Sequence, residues 1–401
     1  MKKLLSLLLC IILVSFSLVS CGQDIIGEYL SHYNTDTTTD DQIEKLNFYI
    51  ITGSGTSAEA KITVPQNINT YLKEKYEIEL NIKYYTEEEY AAALGTAMQT
   101  ANEAERPDII LINSYDLYVA NKDQLVSLNG YYSSREYRSI NTIVDPALLA
   151  VSAEADESGE PVYYTVPNNH VIGEYKYVVI DISMARDILH FSTAEIEAMN
   201  TEESVEPLKA AIAEYYTTQL GASESELPAL IEKHVSIVSG NYAAKQLLEY
   251  GVEKASDITE GALKKYCVNI NTYPITTKEE AHLSAFAIVK HLNDEGNNTE
   301  EQQAVFDKHY NKCMKIIYAL NTDAQLKNML QYGYVNTNYK FIKNDKNENT
   351  DYIQLIFGDA VTYEMNNIYT GNIYISYFCE ENAWNEQVLS DIKKQNGDAS
   401  K

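Results

Sequence analysis

Three short apolar segments between residues 45 and 113 predict the strands of a β-sheet. KLNFYII (45–51) and PDIILIN (107–113) are almost continuously apolar, whereas IELNIKYY (78–85) alternates apolar and polar residues. A continuous apolar run is typical of a strand that is buried on both faces, and alternation is typical of a half-buried strand. We therefore predict a strand at each of these positions.

The segments between these strands carry helix signals. TGSGTSAEA (52–60) provides a glycine turn that opens a helix, with a break at Pro65. TEEEYAAALGTAMQTANEA (86–104) begins with Thr86 and Glu89 in capping-box spacing and continues with apolar residues at helical spacing. The order strand, helix, strand, helix, strand predicts a parallel sheet with right-handed crossovers and helices on both faces.

Polar residues follow the first and third of these strands. Because such sheets bind ligands beyond the carboxyl ends of their strands, GSG (53–55) and SYD (114–116) are candidate contact positions. A phosphate-binding loop is not favoured, since its lysine and its second glycine spacing are missing. Two interpretations of the glycine turn stay open: a tight strand-to-helix turn without ligand contact, and a contact with a small ligand.

The only long apolar run of the chain lies at its N-terminus. MKK (1–3) precedes residues 4–19, about 16 residues interrupted by serines, which is shorter than the roughly 20 residues that a spanning helix requires. A positive start, an apolar middle and small residues before a cleavage point predict a signal peptide. LVSC (18–21) resembles the lipobox of bacterial lipoproteins, in which the cysteine receives a diacylglycerol and becomes the mature N-terminus.

The lipobox implies that the protein works outside the cytoplasm, anchored to the cell membrane by lipidated Cys21. Two acyl chains hold a soluble domain on a membrane without a spanning helix. Residues 1–20 are then the signal peptide, and the polar, aperiodic residues 21–44 form a flexible tether. An ordinary secretory leader that happens to end in cysteine is the alternative.

Length and charge limit the remaining possibilities. The roughly 355 residues from Lys45 onward exceed the size at which one hydrophobic core stops growing, so two lobes are expected. Without Lys2 and Lys3 the chain has 29 basic residues against 58 acidic ones, a net charge of −29. Nucleic acid is an unsuitable partner, because binding it requires clustered lysine and arginine. The acidity favours solubility in a crowded envelope.

The cysteines indicate neither a disulfide framework nor a zinc site. Cys10 is lost with the leader and Cys21 carries lipid, which leaves an odd number of thiols: Cys267, Cys313 and Cys379. Their spacings match no zinc pattern. The disulfide state of these three is left open.

No sequence motif indicates a catalytic centre or a cofactor. The chain lacks H-E-x-x-H, G-x-S-x-G and G-x-x-x-x-G-K-[ST]. DKNENTD (345–351) alternates oxygen-bearing residues as a calcium loop does, but Thr350 replaces the required glycine and Ile356 the required glutamate. We interpret this segment as a solvated surface loop and predict no metal site.

Three segments, in this order, resemble the sugar-binding lipoproteins among the extracellular solute-binding proteins of bacterial ABC importers, the type called family 1. The first is EPVYYTVPNNHVIGEYKYVVIDISMA (160–185). In that family a Tyr-x-x-Pro segment leads into the first crossing between lobes, and a strand and an Asn/Asp turn follow. Here these are YTVP (164–167), the strand Tyr175–Ile180 and Asp181.

The other two segments lie near the C-terminus. CMKIIYALNTDAQLKNMLQYGYVNTNYK (313–340) resembles the family's helix, Asn-Thr-Asp break, second helix and tyrosine-glycine loop, and Thr322 and Gln325 have capping-box spacing. In that loop Val335 and Asn336 replace a common acidic residue and glycine. Asparagine tolerates a left-handed backbone, so the turn is kept while any contact by the acid is lost.

The third segment, TGNIYISYFCEENAWNEQ (370–387), resembles the family's late strand and the loop that faces the cleft. The resemblance therefore implies an α/β fold with two lobes. It is a clamp of the periplasmic-binding-protein type, each lobe a mainly parallel sheet flanked by helices, joined by a hinge of several crossings. The implied boundaries are 45–166 for the N-lobe, 167–275 for the C-lobe, 276–335 for the return to the N-lobe and 336–401 for completion of the C-lobe.

The resemblance implies a monomer that needs no cofactor and is not an enzyme. Ligand at the interface stabilises the closed form, which the ABC permease recognises. The ligand is a sugar or oligosaccharide, with peptides left open because the chain has one tryptophan. Ligand presentation to a sensor or adhesion on the same fold is an alternative function, and an envelope hydrolase is a remote one.

The candidate ligand contacts combine hydrogen-bonding residues with aromatic rings. Positions carried over from the family suggest hydrogen bonds from Ser54 and Ser114 in the N-lobe. The crossing supplies polar side chains that read hydroxyl groups, and four aromatic residues offer stacking faces. These are Asn168, Asn169, His170, Tyr175, Tyr332, Tyr377 and Trp384.

Overall fold

The computed structural model describes residues 43–240, 251–252, 265–269, 273–294, 298–343 and 352–401. The predicted signal peptide, Cys21, nearly all of the tether and the segment 345–351 lie outside the described residues, as does the side chain of Cys267. Within the described ranges, no helix has both the length and the apolar character that crossing a membrane requires.

The described strands are numbered along the chain. They are β1 Glu44–Ile51, β2 Ile78–Tyr85, β3 Ile109–Ile112, β4 Glu154–Ala155, β5 Pro161–Val162, β6 Val166–Pro167, β7 Tyr175–Asp181, β8 Val235–Gly240, β9 Gly251–Val252, β10 Lys265–Asn269, β11 Ala285–Ile288, β12 Tyr339–Ile342, β13 Tyr352–Leu355 and β14 Phe378–Cys379.

The described α-helices are numbered in the same way. They are α1 Ala60–Tyr76, α2 Glu87–Met98, α3 Tyr115–Asn121, α4 Asn129–Ser133, α5 Ile140–Ile143, α6 Pro146–Ser152, α7 Thr193–Glu197, α8 Glu206–Leu220, α9 Leu227–His234, α10 Lys278–Ala281, α11 Glu300–Thr322, α12 Ala324–Tyr332 and α13 Glu386–Ala399. A π-helix, Ser183–Ile188, follows β7.

The first sheet has the strand order β2-β1-β3-β11-β6. β1 pairs in parallel with β2 and with β3, which confirms the predicted strands and their direction. β11 comes from much later in the chain and is antiparallel to both β3 and β6. The capping box of α2 is also confirmed, with Thr86 and Glu89 in the predicted roles.

The predicted break at Pro65 is wrong, because α1 continues through it. A proline removes one backbone hydrogen bond, and here it lies within the first two turns of the helix. Ala60, Val64, Ile68 and Leu72 recur every four residues and are all buried. The packing of this apolar face outweighs the lost bond.

The second sheet has the strand order β8-β7-β10-β9. β7 is antiparallel to β8 and to β10, and only β9 and β10 are parallel, so the sheets of the molecule are mixed and not mainly parallel. Several helices lie between β7 and β8, and the last two of them, α8 and α9, pack against each other.

Two large hydrophobic cores define two lobes. One contains residues from 46–172 and from 281–369, and the other contains residues from 178–266. The small sheet β12-β13-β14 has its own core, formed by Tyr332, Tyr339, Ile353 and Cys379. Tyr363 and Tyr369 belong to the first core although they lie in the stretch expected to complete the C-lobe. The exact lobe boundaries stay a prediction.

The predicted capping box at the break between α11 and α12 is wrong. Thr322 ends α11, and its hydroxyl donates to the Tyr318 carbonyl at 2.8 Å. Asp323 caps α12 instead, with Oδ1 accepting from the backbone N–H groups of Gln325 and Leu326 at 3.0 and 3.3 Å. A carboxylate is a favourable N-cap because the helix dipole adds to its hydrogen bonds.

The late strand predicted within 370–387 is largely absent from the described fold. Only Phe378–Cys379 is a strand, and 3₁₀ turns at Asn367–Thr370 and Ile373–Ile375 precede it. The side chains of Asn366 and Asn372 accept from the backbone N–H two residues further on, which favours turns over a strand. Asn336 does adopt the expected left-handed conformation, with φ of 62°.

His309 joins α11 to the beginning of the first sheet. Its Nδ1 lies 2.7 Å from Glu44 Oε1, and its Nε2 lies 3.1 Å from Asp108 Oδ1. Burial opposes the charge, but hydrogen bonds, first to Asp108 and also to Glu44, outweigh it and raise the pKa of His309 to about 12. The folded protein therefore holds a proton that the unfolded chain releases near pH 6.5.

We expect the free energy of unfolding to fall as the pH rises above 6.5, because His309 binds its proton only in the folded state over that range. The stabilisation is complete below pH 6.5 and is lost as the pH approaches 12. Between pH 6 and 9, wild type should lose about 3 kcal/mol relative to His309→Gln, measured by urea denaturation, since each pH unit above 6.5 costs about 1.4 kcal/mol. Parallel stability curves for the two proteins would contradict this assignment.

Candidate functional site

A cavity of about 300 Å³ lies between the end of α12, the turn at Asn367 and α13, and we call it the junction cavity. Its polar lining comes from the end of α12, the turn at Asn367, the loop before α13 and α13 itself: Gln331, Tyr332, Asn367, Asn382, Trp384, Asp391 and Gln395. Its apolar wall is formed mainly by Val171, Ile368, Ile373, Val388 and Ile392. Apolar walls with a few polar groups are typical of ligand sites.

Two of the predicted aromatic residues meet in this cavity. Tyr332 is buried, its hydroxyl donates to the Tyr377 carbonyl at 3.0 Å, and burial raises its pKa well above the usual range. Trp384 pairs its backbone with that of Cys379, with N–O distances of 2.8 and 2.9 Å. Its Nε1 is buried and has no hydrogen-bond partner among the described residues. A buried N–H without an acceptor is costly, so a ligand oxygen would be favoured there.

A buried lysine lies directly behind the cavity wall. Lys327 is fully buried, and its Nζ donates to the side-chain oxygen of Gln331, to Asn367 Oδ1 at 2.8 Å and to Thr370 Oγ1 at 2.9 Å. Within the described part of the chain no carboxylate forms an ion pair with it, and burial lowers its pKa well below the usual range. Lys327 thereby holds two amides of the cavity wall in one orientation.

The first crossing between the lobes is held by buried amides. Asn168 donates to Ser284 Oγ at 3.0 Å and to the Ile368 carbonyl at 3.2 Å. Asn169 donates to the Ile143 carbonyl at 2.6 Å and accepts from the backbone N–H of Asp145 at 2.8 Å. Both residues are completely buried, so these contacts fix the crossing in place.

His170 belongs to the same buried layer. Its Nδ1 lies 2.8 Å from the Asn168 carbonyl, and burial lowers its pKa, which favours the neutral imidazole. α13 packs onto this segment, with Asn396 donating to the carbonyl of His170 at 2.7 Å. Asn396 also donates to Asp145 at 2.7 Å, and burial raises the pKa of that carboxyl. The helix α13 therefore stabilises this buried segment beside the junction cavity.

Gly173 allows the two crossings to approach each other. Its φ is +71°, and a Cβ at this position would lie 2.6 Å from the Pro274 side chain. Next to it, Glu174 and Ile275 form an antiparallel bridge between the outgoing and returning segments. A glycine is required here by both backbone conformation and space.

The two predicted serines lie at the carboxyl ends of strands in the first lobe, away from these buried residues. Ser54 is exposed in the turn after β1, and the N–H groups of Gly53 and Gly55 on either side of it are bound to Glu364. Ser114 caps α3, with its hydroxyl accepting from the Leu117 N–H at 3.2 Å. Because Glu364 occupies these N–H groups, the glycine turn does not bind phosphate in this conformation.

The fold has clear counterparts among solved structures. No protein-family model matches the chain, and no curated protein matches it in sequence. The N-glycan transport solute-binding protein NgtS of Streptococcus pneumoniae is 17% identical over 89% of this chain and 83% of that one, with a TM-score of 0.51. An extracellular solute-binding protein of Bifidobacterium longum subsp. infantis is 8% identical over 91% and 84%, with a TM-score of 0.44.

The chain has the two-lobed fold of extracellular solute-binding proteins. The resemblance noted in the sequence is therefore confirmed at the level of the fold.

The remaining predicted site residues separate into different environments. Tyr175 is buried at the start of β7, and its hydroxyl donates to Asp398 at 2.8 Å. Tyr377 is half-buried and packs edge-on against Phe341, with ring centroids 5.2 Å apart. Of the nine predicted contacts, Tyr332 and Trp384 line the junction cavity together. The ligand contacts themselves stay a prediction.

The sequence interpretation missed Lys327, Gln331 and Asn367. Lys327 and Gln331 are four residues apart and therefore on one face of α12, together with the buried Leu330 and Leu326 neighbours. A lysine inside the apolar face of a helix is the signal that could have been used, because an unpaired lysine is rarely buried. Asn367 follows the end of α12 by 35 residues and carries no such signal.

Proposed function

We propose that this protein is a membrane-anchored extracellular solute-binding protein. It captures a sugar or oligosaccharide between its lobes and delivers it to an ABC permease when the lobes close. Cys21 carries the lipid anchor, and residues 22–44 connect it to the folded part. The pneumococcal protein that shares the fold is an N-glycan transport solute-binding protein.

The junction cavity is the observation that carries this proposal. It combines two aromatic side chains, Tyr332 and Trp384, with the amide groups of Gln331 and Asn367 and the carboxylate of Asp391. Sugars present flat C–H faces that pack on aromatic rings, and hydroxyl groups that bind amides and carboxylates. A cavity of about 300 Å³ is at the lower end of the size range of ligand sites.

Lobe closure requires no catalytic group. A ligand that contacts both lobes binds the closed form more tightly and shifts the population towards it. The crossing at Asn168, Asn169 and Gly173 supplies the hinge, and α13 links this hinge to the cavity through Asn396 and Gln395. We propose that Asn168, Asn169 and His170 shape the hinge, that Tyr332 and Trp384 contact the ligand, and that Ser54 and Ser114 bind it from the first lobe.

Trp384→Ala is expected to weaken solute binding 10- to 100-fold. A buried aromatic side chain contributes roughly 1.5–3 kcal/mol by apolar burial, and 1.4 kcal/mol corresponds to a tenfold change in affinity. Thermal-shift screening of sugars, oligosaccharides and short peptides identifies the solute, since a ligand of the native state raises the melting temperature. Calorimetry with that solute then measures the affinity of the variant.

The chain offers an internal probe and a matched control for this experiment. Trp384 is the only tryptophan, so its fluorescence reports one position, and saturating solute should shift its emission. Phe357→Ala removes an aromatic ring that is 61% exposed and should leave binding unchanged. A folded Trp384→Ala variant with full affinity, together with an unchanged wild-type spectrum, would remove Trp384 from the site. Conversion of the solute by the pure protein would contradict the binding function.

A further inference from the structure

Three N–H donors of the junction cavity are left without an acceptor. Gln331 Nε2, Asn367 Nδ2 and Trp384 Nε1 donate to no other atom of the described residues, and all three residues line the cavity. Gln331 is 98% buried and Trp384 93% buried, with exposed fractions of 2% and 7%. The buried Trp384 N–H in particular favours an acceptor that enters the cavity, because a buried donor without a partner is costly.

Hydrogen bonds to their side-chain oxygens set the orientation of the amides of Gln331 and Asn367. Lys327 donates to the side-chain oxygens of Gln331 and Asn367, and Ser376 Oγ donates to Asn367 Oδ1 at 2.8 Å. An amide whose oxygen is bound in this way turns its NH₂ group to the other side. The wall formed by α12 and the turn at Asn367 therefore offers hydrogen-bond donors and not acceptors.

The opposite wall offers an acceptor. Asp391 on α13 is 8% exposed and lines the cavity, and its Oδ1 accepts from Gln387 Nε2 at 3.0 Å. A carboxylate has room for further donors, and it repels an anionic ligand. An anionic ligand group is therefore disfavoured, and the ligand needs an acceptor for the α12 wall and a donor for Asp391.

A secondary amide that carries a small apolar substituent meets all of these requirements. Its carbonyl oxygen has two lone pairs for the unpaired N–H groups, and its N–H can donate to Asp391. The aliphatic side chains Ile368, Ile373, Val388 and Ile392 fit a methyl group, because the cavity lining is mostly apolar. A plain hydroxyl would satisfy fewer donors and would leave the aliphatic wall facing polar groups.

From this arrangement we infer that the junction cavity selects its ligand by an acetamido group. The inference rests on the proposed solute-binding function and names the substrate class as N-acetylated sugars. A peptide bond offers the same pair of carbonyl and N–H, so an acetylated peptide is the second source of this chemistry. Lys327 acts as a positioning residue, because it orients Gln331 and Asn367 without touching the ligand.

Calorimetry with four probes tests the inference: N-acetylglucosamine, glucosamine, glucose and an N-acetylated dipeptide amide. N-acetylglucosamine should bind at least tenfold more tightly than glucose or glucosamine. Gln331→Glu replaces one donor by an acceptor of the same shape, and the new carboxylate can pair with Lys327 and keep the fold. This variant should lose at least tenfold in N-acetylglucosamine affinity, and the ratio of its affinities for N-acetylglucosamine and glucose should fall.

Gln325→Glu makes the same chemical change on the same helix outside the cavity lining and should leave every affinity unchanged. Equal affinities for N-acetylglucosamine and glucose, or an undiminished preference in Gln331→Glu, would overturn the acetamido inference and leave sugar binding intact. Binding of the acetylated dipeptide alone would support the amide chemistry and contradict a sugar as the solute. If none of the four probes binds, the inference is wrong.

Discussion

A Cys21→Ser variant is expected to lose acyl-chain labelling completely and to be released from the membrane into the medium. The sulfur of Cys21 is the proposed attachment point of the diacylglycerol, and serine cannot form the thioether. Each buried CH₂ of an acyl chain contributes about 0.8 kcal/mol to membrane binding, so two chains hold the protein stably and their loss removes that attachment. Metabolic labelling with a fatty-acid analogue and fractionation of the cells measure both effects.

The chain provides a matched control for this substitution. Cys10 lies in the same apolar leader, upstream of the proposed cleavage point, and Cys10→Ser should leave labelling and membrane retention unchanged. Retention of an unlabelled Cys21→Ser protein at the membrane would refute the lipoprotein assignment. Release of wild type into the medium would favour the ordinary secretory leader.

Lys327→Met is expected to destabilise the folded protein by about 1–3 kcal/mol, the cost of leaving a buried acceptor without a donor. The substitution preserves most of the volume and removes the amino group that donates to Gln331, Asn367 and Thr370. Asn367 Oδ1 keeps the hydrogen bond from Ser376, and Thr370 keeps its bond to the Asn367 carbonyl, so the side-chain oxygen of Gln331 is the acceptor that loses its donor. Removal of the buried amino group also eliminates the cost of burying it, which stabilises the folded protein. We expect the unpaired oxygen of Gln331 to dominate, since a buried acceptor without a donor costs about 1–3 kcal/mol.

The pH dependence of the free energy of unfolding tests whether the amino group of Lys327 causes this loss of stability. Because burial lowers its pKa, the folded state binds this proton less tightly than the unfolded chain, so its contribution makes the folded state more stable as the pH rises towards 10.5. The contribution of His309 to the free energy of unfolding falls over the same rise in pH. Because His309 is present in both proteins, its contribution cancels in the difference between wild type and Lys327→Met. That difference should grow between pH 7 and 9.

Lys308→Met is the matched control, because Lys308 is exposed on the neighbouring helix α11. Surface substitutions of this kind change the free energy of unfolding by less than about 0.5 kcal/mol. Urea denaturation of the three proteins at pH 7 and 9 provides the comparison. A Lys327→Met protein as stable as wild type would mean that the amides repack without the lysine.

Local sequence patterns were sufficient where the structure depends on neighbouring residues. The strands 45–51, 78–85 and 107–113 and the capped helix α2 follow from apolar periodicity and from one capping box. The left-handed turn at Asn336 follows from the tolerance of asparagine for that conformation. Such features need no information about distant parts of the chain.

Competing local signals caused the errors in element type. Pro65 suggested a break, but the buried face of α1 keeps the helix continuous. Thr322 and Gln325 matched a capping box, but Asp323 is the stronger cap. The apolar run NIYISYF suggested a strand, but the asparagine side chains of that region form turns. In each case an interaction that the local signal did not include decided the structure of the segment.

The sequence by itself determined the order of elements, the two-lobed architecture and two residues, Tyr332 and Trp384, that line the junction cavity. Only the tertiary structure decided that the second sheet is mixed, that Asn168 and Asn169 are hydrogen-bonded in the interior, and that Lys327 orients the wall of the cavity. The physical reason is distance along the chain. Lys327 meets Asn367 and Thr370 some 40 residues later, and Asn168 meets Ser284 more than 100 residues later, contacts that no local pattern encodes.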